Sequence, residues 1–371
     1  MTFSVPSSDL QKVLSNISGV IPTRSPLPIL ENFLFELSGG NLIITATDLE
    51  ISMQVSLKIQ GSREGKIAVP AKRLFETIRA LPETTIEFKV DLASNKITMQ
   101  TTNGEYKLTG ESAENYPSMP IFKGKDEINV TSETLRRLIS KTIFAVSSDE
   151  LRPAMMGVLF QIKKSEIKAA ATDGHRLVRL SNSAITSGQV ERDVIVPAKA
   201  LNLVLKSISD TDTNVAFNET HAMFSLGDTI LMSRMIDEKY PNYESVIPLD
   251  NEKKLVVNNA QLLSSVKRIS LYASLTTHQV RLSLRKGSLA ISAEDIDFGS
   301  EAKETLECEY SAEPMEIGFN SSYLIEVLSH IDTDQVMFLL STPTRAGIVK
   351  PMTQREGENL LMLVMPVRLN V

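Results

Sequence analysis

Three segments of the chain read alike: VPAKRLFETIRAL from Val69, VPAKALNLVLKSI from Val196 and GFNSSYLIEVLSHI from Gly318. Val69 and Val196 lie 127 positions apart, and Leu201 and Leu324 lie 123 apart. The tripeptides at Ala46–Asp48 (ATD), Ala171–Asp173 (ATD) and Ala293–Asp295 (AED) form a second series, spaced by 125 and 122. A third aligns Leu10, Leu135 and Leu262 in SSDLQKVLSNISGV, TSETLRRLISKTIFAV and NNAQLLSSVKRISLYA, with spacings of 125 and 127. Solenoid units are far shorter than this period. The chain therefore carries three copies of a whole domain. Two copies end on related Tyr-Pro segments, YPSMP from Tyr116 and YPNYESVIP from Tyr240, which read as linkers. The expected domains are residues 1–124, 125–251 and 252–371.

Each copy opens with a helix-period segment. Its apolar stripe is Leu10, Val13, Leu14 and Ile17 in the first copy. In the second it is Leu135, Leu138, Ile139, Ile143 and Val146, and in the third Leu262, Leu263, Val266 and Ile269. Ser7, Ser132 and Asn258 are the expected N-caps. Pairs of alternating or β-branched segments follow: NFLFEL with NLIITATD, GVLFQI with EIKAAATD, and VRLSL with SLAISAED. A second helix begins at each VPAK-type motif, with Pro70 and Pro197 suited to its first turn. Two helices and roughly eight strands per copy leave the helices too little apolar surface for a core of their own. The fold class is therefore α+β, with helices packed on antiparallel sheets.

At 42% hydrophobic and 23% charged residues, the composition is that of an ordinary globular protein. The N-terminus lacks a signal-peptide layout and no apolar run approaches a membrane span. The single cysteine, Cys308, cannot form an internal disulfide, so a cytoplasmic location is expected. The four histidines, His175, His221, His278 and His330, are scattered without metal-ligand spacing. No P-loop, nucleophile elbow or dinucleotide fingerprint is present. Cys308 sits in LECEY, which reads as a strand with no histidine nearby to activate it. This is the sequence of a binding protein, with no cofactor, no metal and no catalytic residue expected.

The net charge of −6 gives no hint of a polyanionic partner, but its distribution does. The six helix-period segments together carry +7, which leaves −13 for the rest of the chain. A basic helical surface on an acidic body is the footprint of phosphate contact that ignores base sequence. Lys12, Lys72, Arg73, Arg136, Arg137, Lys141, Lys199 and Lys206 supply that surface.

TRSPLPIL and TATDLE in the first third, ATDGHRL and VPAKAL in the second, and LVMPVRL at the end resemble the bacterial beta sliding clamp family over essentially the whole chain. The resemblance implies three clamp domains per chain and a head-to-tail homodimer closed into a ring around double-stranded DNA. It adds Arg24 to the DNA-facing candidates and repeats Lys72, Arg73, Lys199 and Lys206. The acidic SSDELR loop at Ser147 is expected to touch DNA little.

The resemblance also implies a pocket for short peptides of glutamine and apolar side chains. Such peptides would be carried by the DNA polymerase III alpha subunit, the clamp-loader delta subunit and other clamp-binding proteins. The matching positions are Arg152, Met155, Thr172, Gly174, His175, Arg176, Leu177, Pro241, Val246, Val364, Met365, Pro366, Val367 and Arg368. Within them, Gly174 is expected to supply a positive φ and His175 to cap backbone. Tyr106, Leu108, Leu271 and Tyr272 are the apolar candidates for the dimer interface. The competing reading is a peptide-binding scaffold that does not encircle DNA. Charge segregation argues against it, because a scaffold needs no basic helical face.

Overall fold

The helix-period segments and the VPAK-type motifs become six α-helices among the described residues of the computed structural model: α1 (Ser7–Ile17), α2 (Ala71–Ala80), α3 (Ser132–Ser140), α4 (Ala198–Ser207), α5 (Asn259–Ile269) and α6 (Ser321–Ser329). Ile143 and Val146 of the second stripe fall beyond α3, in a separate 3-10 turn and its cap. The structure describes residues 1–120, 122, 126–184, 190–210 and 213–369. Leu10, Leu14 and Ile17 of α1 are fully buried, as its stripe requires, and so are Leu74 and Ile78 of α2.

The caps differ in part from expectation. Asn258 does cap α5, its side chain accepting from Gln261 N at 3.0 Å. Ser7 and Ser132 instead occupy the first helical positions. Thr131 Oγ1 takes the capping role for α3, accepting from Thr134 N. The Ser7 hydroxyl is engaged elsewhere, donating to Pro82 O and accepting from Thr84 N. Pro70 and Pro197 stand immediately before the helices as their N-cap residues.

Packing divides the chain into two compact units, Met1–Arg136 with Val196–Met235, and Arg137–Ile195 with Ile236–Val371. The cause is strand pairing across repeat junctions. In the first unit an eight-stranded antiparallel sheet joins Ile51–Lys58 of the first repeat to Thr229–Arg234 of the second, with Val55 opposite Thr229. In the second unit a nine-stranded sheet joins Arg176–Asn182 to Glu358–Val364, with Arg176 opposite Val364 and Asn182 opposite Glu358. The strands of the middle repeat therefore bond outward on both sides. Each unit has a further five-stranded sheet, with edge strands Glu105–Thr109 in the first unit and Ser300–Glu307 in the second.

Helices and sheets share their cores. In the first unit Phe3 and Phe88 stack at 4.6 Å, and Phe35 of the larger sheet tilts against both. There α1 packs on α2 and α4; in the second unit α5 packs on α6. No helix among the described residues is long and apolar enough to cross a membrane.

The repeats share a closing contact that the sequence comparison does not reveal. Ala68, Ile195 and Gly318 occupy equivalent positions, each six residues before the aligned leucine. Each bonds the segment that trails out of its repeat. Ala68 exchanges two hydrogen bonds with Glu111, Ile195 O accepts from Ile236 N, and Gly318 pairs with Val367. At Gly318 the approach is close: a Cβ would lie 2.8 Å from Val367 O and 2.7 Å from Leu369 Cδ2. Gly318→Ala should destabilise the second unit by about 1–3 kcal/mol through overpacking against backbone. A urea midpoint equal to wild type would show that the C-terminal strand yields freely.

Candidate functional site

The ATD motif is a turn device. Asp48 Oδ1 accepts from the amides of Glu50 and Ile51, Asp173 Oδ1 from His175 and Arg176, and Asp295 Oδ1 from Asp297 and Phe298. A short carboxylate that can bond backbone two and three residues ahead is what such a turn needs. In the second repeat Gly174 takes φ +91, as expected. His175 does not cap backbone; its ring stacks on Tyr323 at 5.7 Å, and Asp173 and Thr172 do the capping. The Tyr240 hydroxyl accepts from Thr172 N at 3.1 Å, with burial raising its pKa, so this Tyr-Pro segment is a structural pin as well as a connection.

This turn forms one wall of a cleft of about 730 Å³ within the second unit. The size suits a small ligand or a few peptide side chains. Of the expected residues, Met155, Thr172, Gly174, Arg176, Leu177, Pro241, Val246 and Met365 line it. Beneath them lies a buried apolar cluster that includes Leu177, Tyr243, Ala346 and Leu363. Val246, 57% exposed, and Met365, 42% exposed, present apolar surface at the lip. Met is the side chain best able to refit itself to differing partners.

The remaining expected residues support the cleft from outside its lining. Arg152 bonds Asp149 and the Asp173 carbonyl, and Val364 is fully buried opposite Arg176. Pro366 and Val367 form a short strand on Phe319 and Gly318, and Arg368 is exposed beyond it. Met365 N donates to His175 O at 2.8 Å, which ties the lip to the turn. Sequence reasoning missed Tyr243, Ile247 and Leu249, although their apolar character stood in the segment after Tyr240, and missed Thr344–Ala346, which carried no signal. Burial pushes the Tyr243 hydroxyl up to about 12.

The basic candidates separate into two groups. In the first unit Lys12, Lys72, Arg73 and Lys206 are exposed on the adjoining helices α1, α2 and α4, and Arg24 is exposed in a nearby loop. Lys199 is half exposed but bonded to Asp48 at 2.5 Å. Arg136 is exposed, with one guanidinium nitrogen on Ile208 O.

Arg137 and Lys141 are different, and the charge argument placed them wrongly. The Arg137 side chain is 13% exposed and forks onto Glu358 at 2.8 and 2.6 Å, with Asp332 at 2.9 Å. Lys141 is buried, bonded to His330 O and Asp332. A covered cation matched at close range by carboxylates and a carbonyl of its own chain is not available to a phosphate. Counting charges along a helix cannot distinguish these cases, because it does not see which face is covered. Among the dimer candidates Tyr106, Leu271 and Tyr272 are exposed. Leu108 is buried opposite Ile97, two residues from Tyr106 on the same strand face.

His330 sits inside this network. Its ring stacks on Phe144 at 3.9 Å and its Nδ1 donates to Glu326 O at 2.7 Å. Burial, then the cations Lys141 and Arg176, press its pKa down to about 4. Between the ordinary value of about 6.5 and that folded-state value, the unfolded chain holds the proton and the folded chain does not. The contribution is thus fully present above pH 6.5 and is lost as the pH falls toward 4. His330→Gln should flatten that part of the stability profile, read as the denaturant midpoint at stepped pH; an unaltered slope would assign the acid sensitivity to other groups.

Fold and cleft together define a three-repeat protein of helices and antiparallel sheets with an apolar-floored cleft in its second unit. The family models of the DNA polymerase III beta subunit match along the chain: the N-terminal domain at residues 1–120, the central domain at 129–242 and the C-terminal domain at 244–368. The beta sliding clamp of Pseudomonas aeruginosa is 30% identical, with all of both chains covered. That of Synechococcus elongatus is 32% identical, with 98% of each covered. A solved Pseudomonas aeruginosa clamp superposes with a TM-score of 0.91 at 30% identity. The Bartonella birtlesii clamp bound to griselimycin does so with 0.92 at 29%, both covering 100% of each chain. The chain belongs to the DNA polymerase III beta-subunit family, the beta sliding clamps. Its function is that of a DNA sliding clamp, a non-catalytic processivity subunit.

Proposed function

We propose that two copies associate head to tail into a ring around duplex DNA, with domain boundaries near residues 124 and 251. The ring would act in the cytoplasm, on the nucleoid. The observation that carries this reading is that, among the described residues, each unit leaves an edge strand of its five-stranded sheet open on its outer side, Glu105–Thr109 in one and Ser300–Glu307 in the other. Unpaired edges invite addition of a further strand, and a cyclic arrangement removes them. Exposed apolar side chains accompany both edges. Tyr106 lies on the first, and Leu271 and Tyr272 lie in a turn packed against the second. Exposed Lys12, Arg24, Lys72, Arg73, Lys206 and Arg136, with Lys199, would then face phosphates without register, which permits sliding.

The cleft is the docking site for short peptides of glutamine and apolar side chains from the polymerase alpha subunit, the loader delta subunit and other partners. Its apolar floor and methionine-bearing lip suit such ligands. The Met365→Ala, Pro366→Ala double variant should lose peptide binding in a titration while remaining a dimer by sedimentation; full affinity would remove the cleft from partner recognition.

The ring is tested by topology. Protein loaded by a matching clamp loader onto a nicked circle should survive a high-salt wash and fall off when the circle is cut once. Loss during the wash itself would indicate ordinary electrostatic binding and favour a scaffold that does not encircle DNA.

A further inference from the structure

Among the six helical segments, the one containing α6 carries net negative charge, through Glu326, which a phosphate-facing role leaves unexplained. Arg176 supplies the explanation. Its side chain is 8% exposed, and a guanidinium so covered needs a partner for each of its donors. Nε donates to Asp173 Oδ2 at 3.1 Å, Nη2 to Phe144 O at 2.7 Å, and Nη1 to Glu326. Its faces lie 5.3 Å from the Phe144 ring centroid and 4.9 Å from that of Tyr323. The other oxygen of Asp173 is already committed to two backbone amides of the turn. Glu326 is thus the second carboxylate that neutralises this cation, reaching it from another element. Tyr323, one helical turn earlier on α6, also stacks on His175. Both consecutive turn residues are therefore held by the same helix face, and His175 O in turn holds Met365 N at the lip.

We propose that Glu326, together with Tyr323, is a positioning residue for the cleft, acting through Arg176 to hold the Thr172–Leu177 wall in the shape that receives a peptide. The inference rests on the peptide reading of the cleft. Glu326 itself lies outside the cleft lining.

The test is a titration of the full-length protein with an uncharged, end-blocked peptide of glutamine, leucine and phenylalanine, at low and high salt, together with amide exchange. Glu326→Gln should weaken binding roughly twofold to fivefold, the size set by a partly exposed ion pair. Wild-type affinity should fall as salt rises, and that of the variant should not. Amides of Gly174–Leu177 should exchange faster in the variant while the global unfolding midpoint holds. Wild-type affinity and exchange in the variant would overturn the proposal. So would weaker binding that tracks an equal loss of global stability, which would mark Glu326 as merely structural. Tyr323→Leu should produce the same local exchange signature without the change in salt dependence. A wild-type protein that does not bind the peptide would overturn the cleft reading and this inference with it.

Discussion

The backbone ladder between Arg176–Asn182 and Glu358–Val364 joins residues almost two hundred positions apart, and the cleft exists because of it. A strand left open at its edge exposes a row of donors and acceptors, so pairing satisfies many groups at once. Register then does the positioning. With Arg176 opposite Val364, the ATD turn and the C-terminal segment emerge side by side, and Met365 N meets His175 O. A slip of one residue would turn Val364 from core to solvent and carry Met365 away from the lip. The corresponding ladder in the first unit, Ile51–Lys58 with Thr229–Arg234, uses the same solution for the other junction. The middle repeat is thus shared by both units, as sheets continuous across repeats demand.

Charge placement follows from that arrangement. Arg137, Lys141 and Arg176 are covered by neighbouring elements, and each is matched with carboxylates or carbonyls from sequence-distant segments. Buried ions are tolerated only when their donors are matched, and removing one partner leaves a costly orphan. The Arg137 fork on Glu358, itself only 6% exposed, therefore specifies how α3 meets the strand at Glu358–Val364. Lys12, Lys72, Arg73 and Lys206 on α1, α2 and α4 are exposed to solvent, whereas Lys199 on α4 is matched by Asp48. Two populations of basic side chain, alike in sequence, have separate physical roles.

Much of this was legible in the chain itself. A period near 125 residues, repeated in three independent series, requires homologous domains, and apolar stripes named the buried faces of the helices. Four of the five expected positions in ATDGHRL line the cleft, but of the five in LVMPVRL only Met365 does. Thr344–Ala346 were not legible, because a cleft formed by loops has no period to betray it. The burial of Leu108 was likewise not legible, because it depends on how far along the edge strand the sheet's cover extends.

The sequence by itself determined what depends on local spacing: three α+β repeats, their helix faces, the ATD turns and an excess of positive charge on helical segments. These follow from hydrophobic periodicity and short-range hydrogen bonding, which act within a few residues. Only the tertiary structure decided which cations are consumed internally, which residues wall the cleft, and that α6 braces it through Glu326 and Arg176. Those outcomes depend on the pairing of strands far apart in the chain, where burial and register are set by partners that no local pattern names.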